Sequence, residues 1–232
     1  MPEWVYDPRT HNYRRDGLFV AFGDVMGIAL QVAEASGDIV ESLCVQLMND
    51  QLRLDHWQSL MREAIKNEHI AQYMAGRGGR AQMTFRDWGI LGATLKEQYR
   101  YLDGFAADIA RGGMTPGQII TRARMYMENA HQSLWRGRCE AFGMPQLPTY
   151  PAHCDTQCLT RCRCEWEIVE VRDEDGALVG WNVTWVLDPA AHEVHCGDCP
   201  DLAVIWNPLF VPAGMSPAEA RAWRAEQRRV FN

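Results

Sequence analysis

The chain has 232 residues, of which 47% are hydrophobic and 23% are charged, and its formal net charge at pH 7 is −7. A chain of this length can bury about 70% of its unfolded surface, so one or two domains are expected, and disordered, collagen-like and coiled-coil compositions are excluded. Residues 1–150 carry 16 basic and 17 acidic residues, and residues 151–232 carry 7 and 13. Neither half has the positive excess typical of nucleic-acid binders.

Apolar residues recur every three or four positions between about Leu18 and Phe142, a pattern that predicts helices. The first two are expected at about residues 38–50 and 53–75, and a glycine-rich break at 76–79 ends the second. The apolar stripe that these two helices should bury is Ile39, Leu43, Leu47, Leu54, Trp57, Met61, Ala64 and Ile65.

Capping signals mark the next two helices. Thr84 is a good N-cap with Asp87 three residues later, and Thr115-Pro116-Gly117-Gln118 supplies a cap, a first-turn proline and a capping-box partner. We therefore predict a third helix after Thr84 and a fourth over about Pro116–Phe142. The stripe of the third helix is Trp88, Leu91, Leu95, Leu102, Phe105 and Ile109.

Beyond the helices the character of the chain changes. Three prolines within residues 143–153 predict a stiff, extended linker, because proline fixes φ and cannot continue a helix. Residues 165–171 and 180–187 are rich in Val, Ile, Thr and Trp, with the turn sequence Asp173–Gly176 between them. This pattern predicts a β-hairpin.

The C-terminal part has two features. Ser216-Pro217-Ala218-Glu219 predicts a short helix to about Val230. The apolar segment Trp206–Phe210 and the tail after it belong to neither predicted core, so we expect an extended arm that lies on a neighbouring subunit. The predicted fold is α+β, mainly α, with a helical domain over 1–145, a zinc-stapled β-hairpin module over 146–210 and a C-terminal arm over 211–232.

Six of the eight cysteines lie between Cys154 and Cys199, in the groups Cys154-x3-Cys158-x3-Cys162-x-Cys164 and Cys196-x2-Cys199. No secretory signal is visible at the N-terminus, so we expect a reducing cytosol, where such grouping favours a metal over disulfides. Zn²⁺ needs four ligands in a tetrahedron, and a hairpin between Cys164 and Cys196 would bring the two groups together. The sequence therefore predicts a closed, structural zinc site.

The ligand set stays open within Cys158, Cys162, Cys164, Cys196 and Cys199. Cys162 and Cys164 are two residues apart, so on an extended strand both would face one ion. Buried free thiols, or disulfides in an oxidising medium, are the alternatives. A catalytic zinc would need an open position and a general base, and the surplus of thiolates argues against it. Substitute ligands are His195, His153 and Cys154, and the nearest acids are Glu193 and Glu165.

Other motifs carry weaker signals, and we predict no catalytic residue. Glu165-Trp166-Glu167 has the E-x-E spacing of some ADP-ribosyltransferases, but acids on any solvated strand face look the same. The loop Arg77–Arg80 could approach a phosphate, but it lacks the P-loop pattern. Two groups of arginines could meet DNA or an acidic neighbour, although a solvated helix face is the default: Arg122, Arg124, Arg136 and Arg138, and Arg221, Arg224, Arg228 and Arg229.

Five stretches of the chain resemble the minor head proteins of tailed bacteriophages, which include head-morphogenesis and minor capsid proteins. The C-x3-C-x-C group followed by a Trp-bearing strand and a later H-C-x-D-C is the most specific of these features. The stretches are GRGGRAQMTFRDWG (76–89), LKEQYRYLDGFAADIA (95–110), RARMYMENA (122–130), CLTRCRCEWEI (158–168) and HCGDCPDLA (195–203).

The resemblance implies a non-enzymatic structural component of the phage head or portal region, with a zinc-binding module after a helical domain. It implies capsid or portal proteins as partners, self-association into an oligomer, assembly in the host cytoplasm and a final place in the virion. No membrane contact is expected. The rival interpretations are an enzyme, either ADP-ribosyltransferase-like or a packaging nuclease, and a DNA-binding zinc module.

Overall fold

A computed structural model describes residues 4–188 and 196–231. The described chain is mainly helical, with two antiparallel three-stranded sheets, so the α+β, mainly α class is confirmed. The helices are α1 (Phe22–Met48), α2 (Leu54–Arg77), α3 (Phe85–Arg111), α4 (Pro116–Asn129), α5 (His131–Ala141), α6 (Asp198–Ile205) and α7 (Pro217–Gln227). The strands are β1 (Val5–Asp7), β2 (Asn12–Arg15), β3 (Leu18–Val20), β4 (Glu165–Arg172), β5 (Leu178–Val186) and β6 (Leu209–Pro212). Short 3₁₀ helices lie at Arg80–Gln82, Leu159–Arg161 and Arg228–Phe231.

Residues 5–20 form a sheet that was not predicted from the sequence. Its strands follow one another in the order β1-β2-β3, and Tyr6 pairs with Tyr13 across the first two. Both tyrosines are buried, and the Tyr13 hydroxyl donates to the Gly76 carbonyl at 2.6 Å. Trp4 likewise donates from Nε1 to the Ala75 carbonyl at 3.1 Å, so the sheet is fixed to the end of α2.

The predicted helices form, but α1 begins earlier than predicted and two residues of the predicted stripes are exposed. α1 begins at Phe22, well before residue 38, and Ile39 points outward with 61% of its surface exposed, because α1 buries Val40 instead. Trp88 is also exposed, so the buried stripe of α3 begins later than predicted.

The fourth predicted helix is interrupted at Ala130 and forms α4 and α5. The Asn129 side-chain amide donates to the Ala152 carbonyl at 2.8 Å, and Gln132 Nε2 donates to Asn129 Oδ1 at 2.6 Å. The first of these contacts ties the junction of α4 and α5 to a segment 23 residues away. The capping boxes at Thr84–Asp87 and Thr115–Gln118 are both present as predicted.

Two hydrophobic cores result. The helical core lies among α1, α2, α3 and α4, around Trp57, Phe105 and Met127. The second, which we call the mixed core, joins the N-terminal sheet and α5 to the strands β4–β6. Met144, Leu147 and Tyr150 of the predicted linker are buried in the mixed core, so this segment is part of the packing and not a spacer.

The predicted hairpin is present as β4 and β5, but the sheet has a third strand. β6 pairs with β5 through Val183↔Leu209 and Trp181↔Val211, and Trp206 is fully buried. The expectation of an arm lying on a neighbouring subunit is therefore wrong, because these apolar side chains cover their own sheet. α7 begins at a Ser216–Glu219 capping box, and Arg228 Nε donates to the Pro148 carbonyl at 2.6 Å, which holds the tail on the same chain.

Candidate metal centre

The two groups of cysteines meet beside the start of β4. Cys158 and Cys162 flank the short 3₁₀ helix before this strand, and Cys164 directly precedes the strand. Cys199 lies in the first turn of α6, and Cys196 lies two residues before that helix. Antiparallel pairing of β4 with β5, which joins Glu165 to Val186, returns the chain towards the first group as predicted from the hairpin.

The distances from Cys196 and Cys199 to neighbouring sulfurs are close to those in a tetrahedral metal site. Cys196 Sγ lies 3.4 Å from Cys158 Sγ and 3.3 Å from Cys199 Sγ. Cys199 Sγ lies 3.8 Å from Cys158 Sγ and 3.9 Å from Cys162 Sγ. Four sulfurs bound to one Zn²⁺ at about 2.3 Å lie about 3.8 Å apart, whereas a disulfide would bring two of them to about 2.05 Å. None of the eight cysteines is joined in a disulfide.

The sulfurs form two close triads that share Cys199. One is Cys158, Cys196 and Cys199, the other is Cys162, Cys164 and Cys199, and all the sulfurs of a triad lie within 4.8 Å of one another. Cys162 and Cys164 thus approach the same partner, as their spacing of two residues predicts. Together these residues form a five-cysteine cluster that could bind a metal ion, and it is the only such group of His, Cys, Asp or Glu within residues 4–188 and 196–231.

The substitute ligands from the first group lie elsewhere. Cys154 belongs to neither triad, and its nearest described side-chain partner is Asn129, whose Nδ2 lies 3.7 Å from the sulfur. His153 Nδ1 is hydrogen-bonded to Asp155 Oδ2 at 2.8 Å, which turns the imidazole towards that carboxylate. Two further candidates, His195 and Glu193, lie outside the described residues.

The close approach of the sulfurs to one another shifts the pKa values of the thiols. Hydrogen bonding to Cys164, together with burial, raises the pKa of Cys162, and hydrogen bonding to Cys162 and Cys164 raises the pKa of Cys199. Burial opposes ionisation of Cys196 as well, but hydrogen bonds from Cys199 and Cys158 lower its pKa below the ordinary value. Thiolates so close together repel one another, and a divalent cation is the species that would let four of them ionise together.

A pair of polar residues that the sequence analysis missed joins the two cysteine groups. Gln157 donates from its backbone N to Asp198 Oδ2 at 2.8 Å and from Nε2 to Asp198 Oδ1 at 3.2 Å. Gly197 N in turn donates to Gln157 Oε1 at 3.2 Å. Both residues are neighbours of cysteines in the sequence, and this adjacency was the only signal for their role. They hold the 3₁₀ helix against α6 independently of any metal.

Three tryptophans pack into the mixed core that also contains the buried cysteines. The ring centroids of Trp166 and Trp185 are 5.0 Å apart, and those of Trp166 and Trp206 are 5.3 Å apart. Cys162, Cys164 and Cys199 are buried in the same core. The apolar shell keeps three of the five sulfurs from water, which suits a closed site better than one with an exchangeable position.

The other motifs form no comparable site. Glu165 and Glu167 both lie on the outer face of β4, and burial followed by the charge of Asp188 raises the pKa of Glu165. In the Arg77–Arg80 loop, Gly78 N and Gly79 N both donate to the Met74 carbonyl, so these amides are not free to hold a phosphate.

Three arginines of α4 and α5 pair with acids or are buried, so they do not form a basic surface. Arg122 contacts Asp108 at 2.6 Å, and Arg124 contacts Asp38 and Glu41 at 2.9 and 2.8 Å. Arg138 is buried, with its guanidinium 3.4 Å from the ring centre of Phe22. No helix in the described part of the chain is long and apolar enough to cross a membrane.

Comparisons with known proteins add no relative. No protein-family model, no curated protein and no solved structure matches the chain. The resemblance of five stretches to phage minor head proteins therefore stays a prediction.

Proposed function

We propose that the five-cysteine cluster holds one structural Zn²⁺ and that the chain is a non-enzymatic component of a tailed-phage head, assembling with copies of itself and with capsid or portal subunits. The observation that carries the metal proposal is the sulfur spacing: Cys158, Cys196 and Cys199 lie 3.3 to 3.8 Å apart, and Cys162 lies 3.9 Å from Cys199. These four are the proposed ligands, and because Cys162 belongs to the other triad, the ion would draw its sulfur towards Cys158 and Cys196. Cys164 is the fifth sulfur, next to Cys162 and Cys199.

The zinc identity is supported by the ligand type. Thiolates select Zn²⁺, Cu⁺ and iron–sulfur clusters over Mg²⁺ or Ca²⁺, and four sulfurs at tetrahedral spacing are typical of a closed zinc site. The sheet β4–β6 has only three strands. A metal would supply the free energy that so small a sheet lacks.

The assembly role is supported by the resemblance of residues 76–89, 158–168 and 195–203 to phage minor head proteins and by large apolar side chains at the surface. Phe85 begins α3 with 98% of its surface exposed, and Trp88, one turn later, is 41% exposed. Val204 at the end of α6 is 79% exposed. Apolar surface of this kind is what a subunit interface covers.

The metal part is tested by elemental analysis of the purified protein. About one zinc per chain is expected for the wild type and for Cys154→Ser, and less than a tenth of that for Cys199→Ser. Equal zinc in wild type and Cys199→Ser would refute the proposed ligand set. A ratio of two metal ions per chain would refute a single four-sulfur site.

The assembly part is tested separately, by native mass and by co-sedimentation with phage capsids or portal rings. We expect an oligomer, and we expect Phe85→Asp to reduce self-association or capsid binding at least tenfold at unchanged zinc content. Thr10→Asp, at another exposed position, is the matched control. A monomer that binds neither capsid nor portal would exclude this role.

A further inference from the structure

Four arginines lie near one another beside α7, whose Trp223 packs against the mixed core. Arg221 and Arg224 lie one turn apart on α7, Arg228 caps the end of this helix one turn later, and Arg136 belongs to α5. We call these four residues the arginine cluster. Burial, and then repulsion from Arg136, Arg228 and Arg221, lowers the pKa of Arg224 against an opposing effect of the Tyr150 hydroxyl. Arg224 therefore lies close enough to the other three guanidinium groups for electrostatic repulsion.

Acidic groups neutralise only part of this charge. Arg228 pairs with Asp155 at 3.2 Å, and Arg136 donates to the neutral amide oxygen of Gln132 at 3.1 Å. Arg221 and Arg224 make no ion pair with any acid in residues 4–188 and 196–231. Three of the four arginines therefore lack an acidic partner among the described residues, and two of these, exposed Arg221 and half-buried Arg224, line one cavity.

The carboxylate that lines the cavity already has other partners. Glu140 lines the same cavity as Arg221 and Arg224, but its oxygens pair with Arg86 at 2.9 Å and accept from Gln146 Nε2 at 3.0 Å. Half-buried cations that lack a counterion are costly, and like charges held together add to that cost. An anion from outside the chain would remove both costs.

A cavity lies directly beside the two unpaired arginines. It has a volume of about 730 Å³ and opens between α3, the buried segment after α5 and the start of α7. Arg221 and Arg224 form one wall, and Trp181, Met144 and Met215 contribute apolar surface. A concave space with an apolar floor and a few convergent charges is typical of a small-ligand site.

We propose that this cavity and the arginine cluster form a binding site for a phosphate group. Side chains three residues apart on a helix have Cβ atoms about 5 to 6 Å apart, so the guanidinium forks of Arg221 and Arg224 can both reach one phosphate. A phosphate carries close to two negative charges, which matches the two uncompensated cations that line the cavity, whereas a carboxylate carries one. The site is separate from the five-cysteine cluster and does not depend on the assembly role.

The phosphate could belong to a free small molecule or to the backbone of a single-stranded nucleic acid, and two probes separate these sources. Inorganic phosphate and a 12-nucleotide single-stranded DNA are each titrated into the zinc-loaded full chain by calorimetry at about 50 mM salt, where phosphate contacts are strongest. Acetate at equal ionic strength tests whether a carboxylate suffices. The double variant R221Q/R224Q removes the two free charges and keeps hydrogen-bonding side chains. R9Q/R80Q removes two exposed arginines that line no part of this cavity and is the matched control.

We expect the wild type and R9Q/R80Q to bind phosphate with equal affinity and R221Q/R224Q to bind at least tenfold more weakly, with acetate binding weakest. If the source is nucleic acid, DNA also binds, inorganic phosphate competes with it, and R221Q/R224Q shows a salt slope lower by about 1 to 1.4, at roughly 0.7 per phosphate contact. Binding of phosphate without DNA supports a free ligand.

Two results would overturn the proposal: no binding of either probe, or equal binding by wild type and R221Q/R224Q. Loss of fold in R221Q/R224Q is excluded by its thermal midpoint without phosphate, which we expect to equal or exceed that of the wild type because repulsion is relieved. Zinc content and native mass, measured on the same samples, show whether the metal site and the assembly are intact, so failure here is distinct from failure of the proposed function.

Discussion

The helical core and the mixed core bury their apolar side chains between different kinds of elements. The helical core is made from residues of four helices, and its largest side chain, Trp57, packs edge-on against Phe105 with ring centroids 5.4 Å apart. The mixed core gathers short strands, an irregular segment and three cysteines of the five-cysteine cluster. A periodic helical stripe can bury enough apolar surface to be stable by itself, whereas short strands need a further constraint.

The largest expected effect is metal removal, which should separate the two cores. Treatment with a chelator is expected to disorder the mixed core, because structural zinc contributes on the order of 10 kcal/mol in small zinc modules. Trp166, Trp185 and Trp206 should become exposed, seen as a red shift of tryptophan emission, while far-UV circular dichroism keeps most of its helical signal. Equal loss of both signals would mean that the cores do not respond separately.

Trp57→Ala is the converse test. Removing a buried tryptophan from the helical core should lower the free energy of unfolding by about 3 to 5 kcal/mol. Zinc content should stay at the wild-type value, because no ligand contacts this residue. Trp185→Ala is the matched variant in the mixed core, and it should lower both the stability and the zinc content. Denaturant titration with metal analysis on the same samples measures both quantities.

A smaller effect is expected from His69, which joins α2 to α5 through a 2.7 Å hydrogen bond to Ser133. Burial, with a contribution from Arg136, lowers the pKa of His69 to about 3. The unfolded chain therefore takes up the proton first, and the stability contributed by neutral His69 is present above about pH 6.5 and is lost as the pH falls towards 3.

Between pH 7 and 5 this difference amounts to about 2 kcal/mol for one such histidine. His69→Gln should lower the stability at pH 7 but flatten this pH dependence, as measured by denaturant titrations at the two pH values. His56→Gln, at an exposed position on the same helix, should leave the dependence unchanged. An unaltered pH dependence in His69→Gln would contradict the buried neutral imidazole.

The smallest effect is expected at the contact between Gln157 and Asp198. Asp198→Ala removes the acceptor of two hydrogen bonds at a partly exposed site, which should cost about 1 kcal/mol and loosen the approach of the two cysteine groups. Asp201→Ala on the same helix is the control. Zinc release to a chelator should be faster in Asp198→Ala only, and equal release rates in the two variants would show that this contact does not position the cysteines.

The extent of successful prediction differed between the regions for a physical reason. The capping boxes at Thr84 and Thr115 and the helix after Ser216 were predicted correctly, because their partners lie three residues away. The break at Ala130 was missed, and the hydrogen bond that ties this junction to Ala152, 23 residues from Asn129, cannot be predicted from a local pattern. The orientation of Ile39 and Trp88 was also wrong, since periodicity gives a stripe but not which neighbouring residue lies at its edge.

The candidate site shows the same division. The spacing of Cys162, Cys164 and the Cys196–Cys199 pair predicted that the sulfurs converge, because a hairpin returns the chain to its starting point. The sequence did not predict which sulfurs lie nearest, that Cys154 lies apart, or that Asp198 holds the two groups together. Those features depend on the paths of loops, which no local pattern specifies.

Local patterns were enough to predict the helices, the hairpin and the convergence of the five-cysteine cluster. Each of these features depends on contacts within a few residues or across one hairpin. Other features follow from the packing of distant segments: Trp206 and Val211 complete the sheet, and the proline-rich segment is buried. Arg221 and Arg224 likewise lie beside a cavity without counterions from the described part of the chain. These outcomes depend on which surfaces of distant segments fit together, and the free energy of such packing is shared among many residues instead of being encoded in any one stretch.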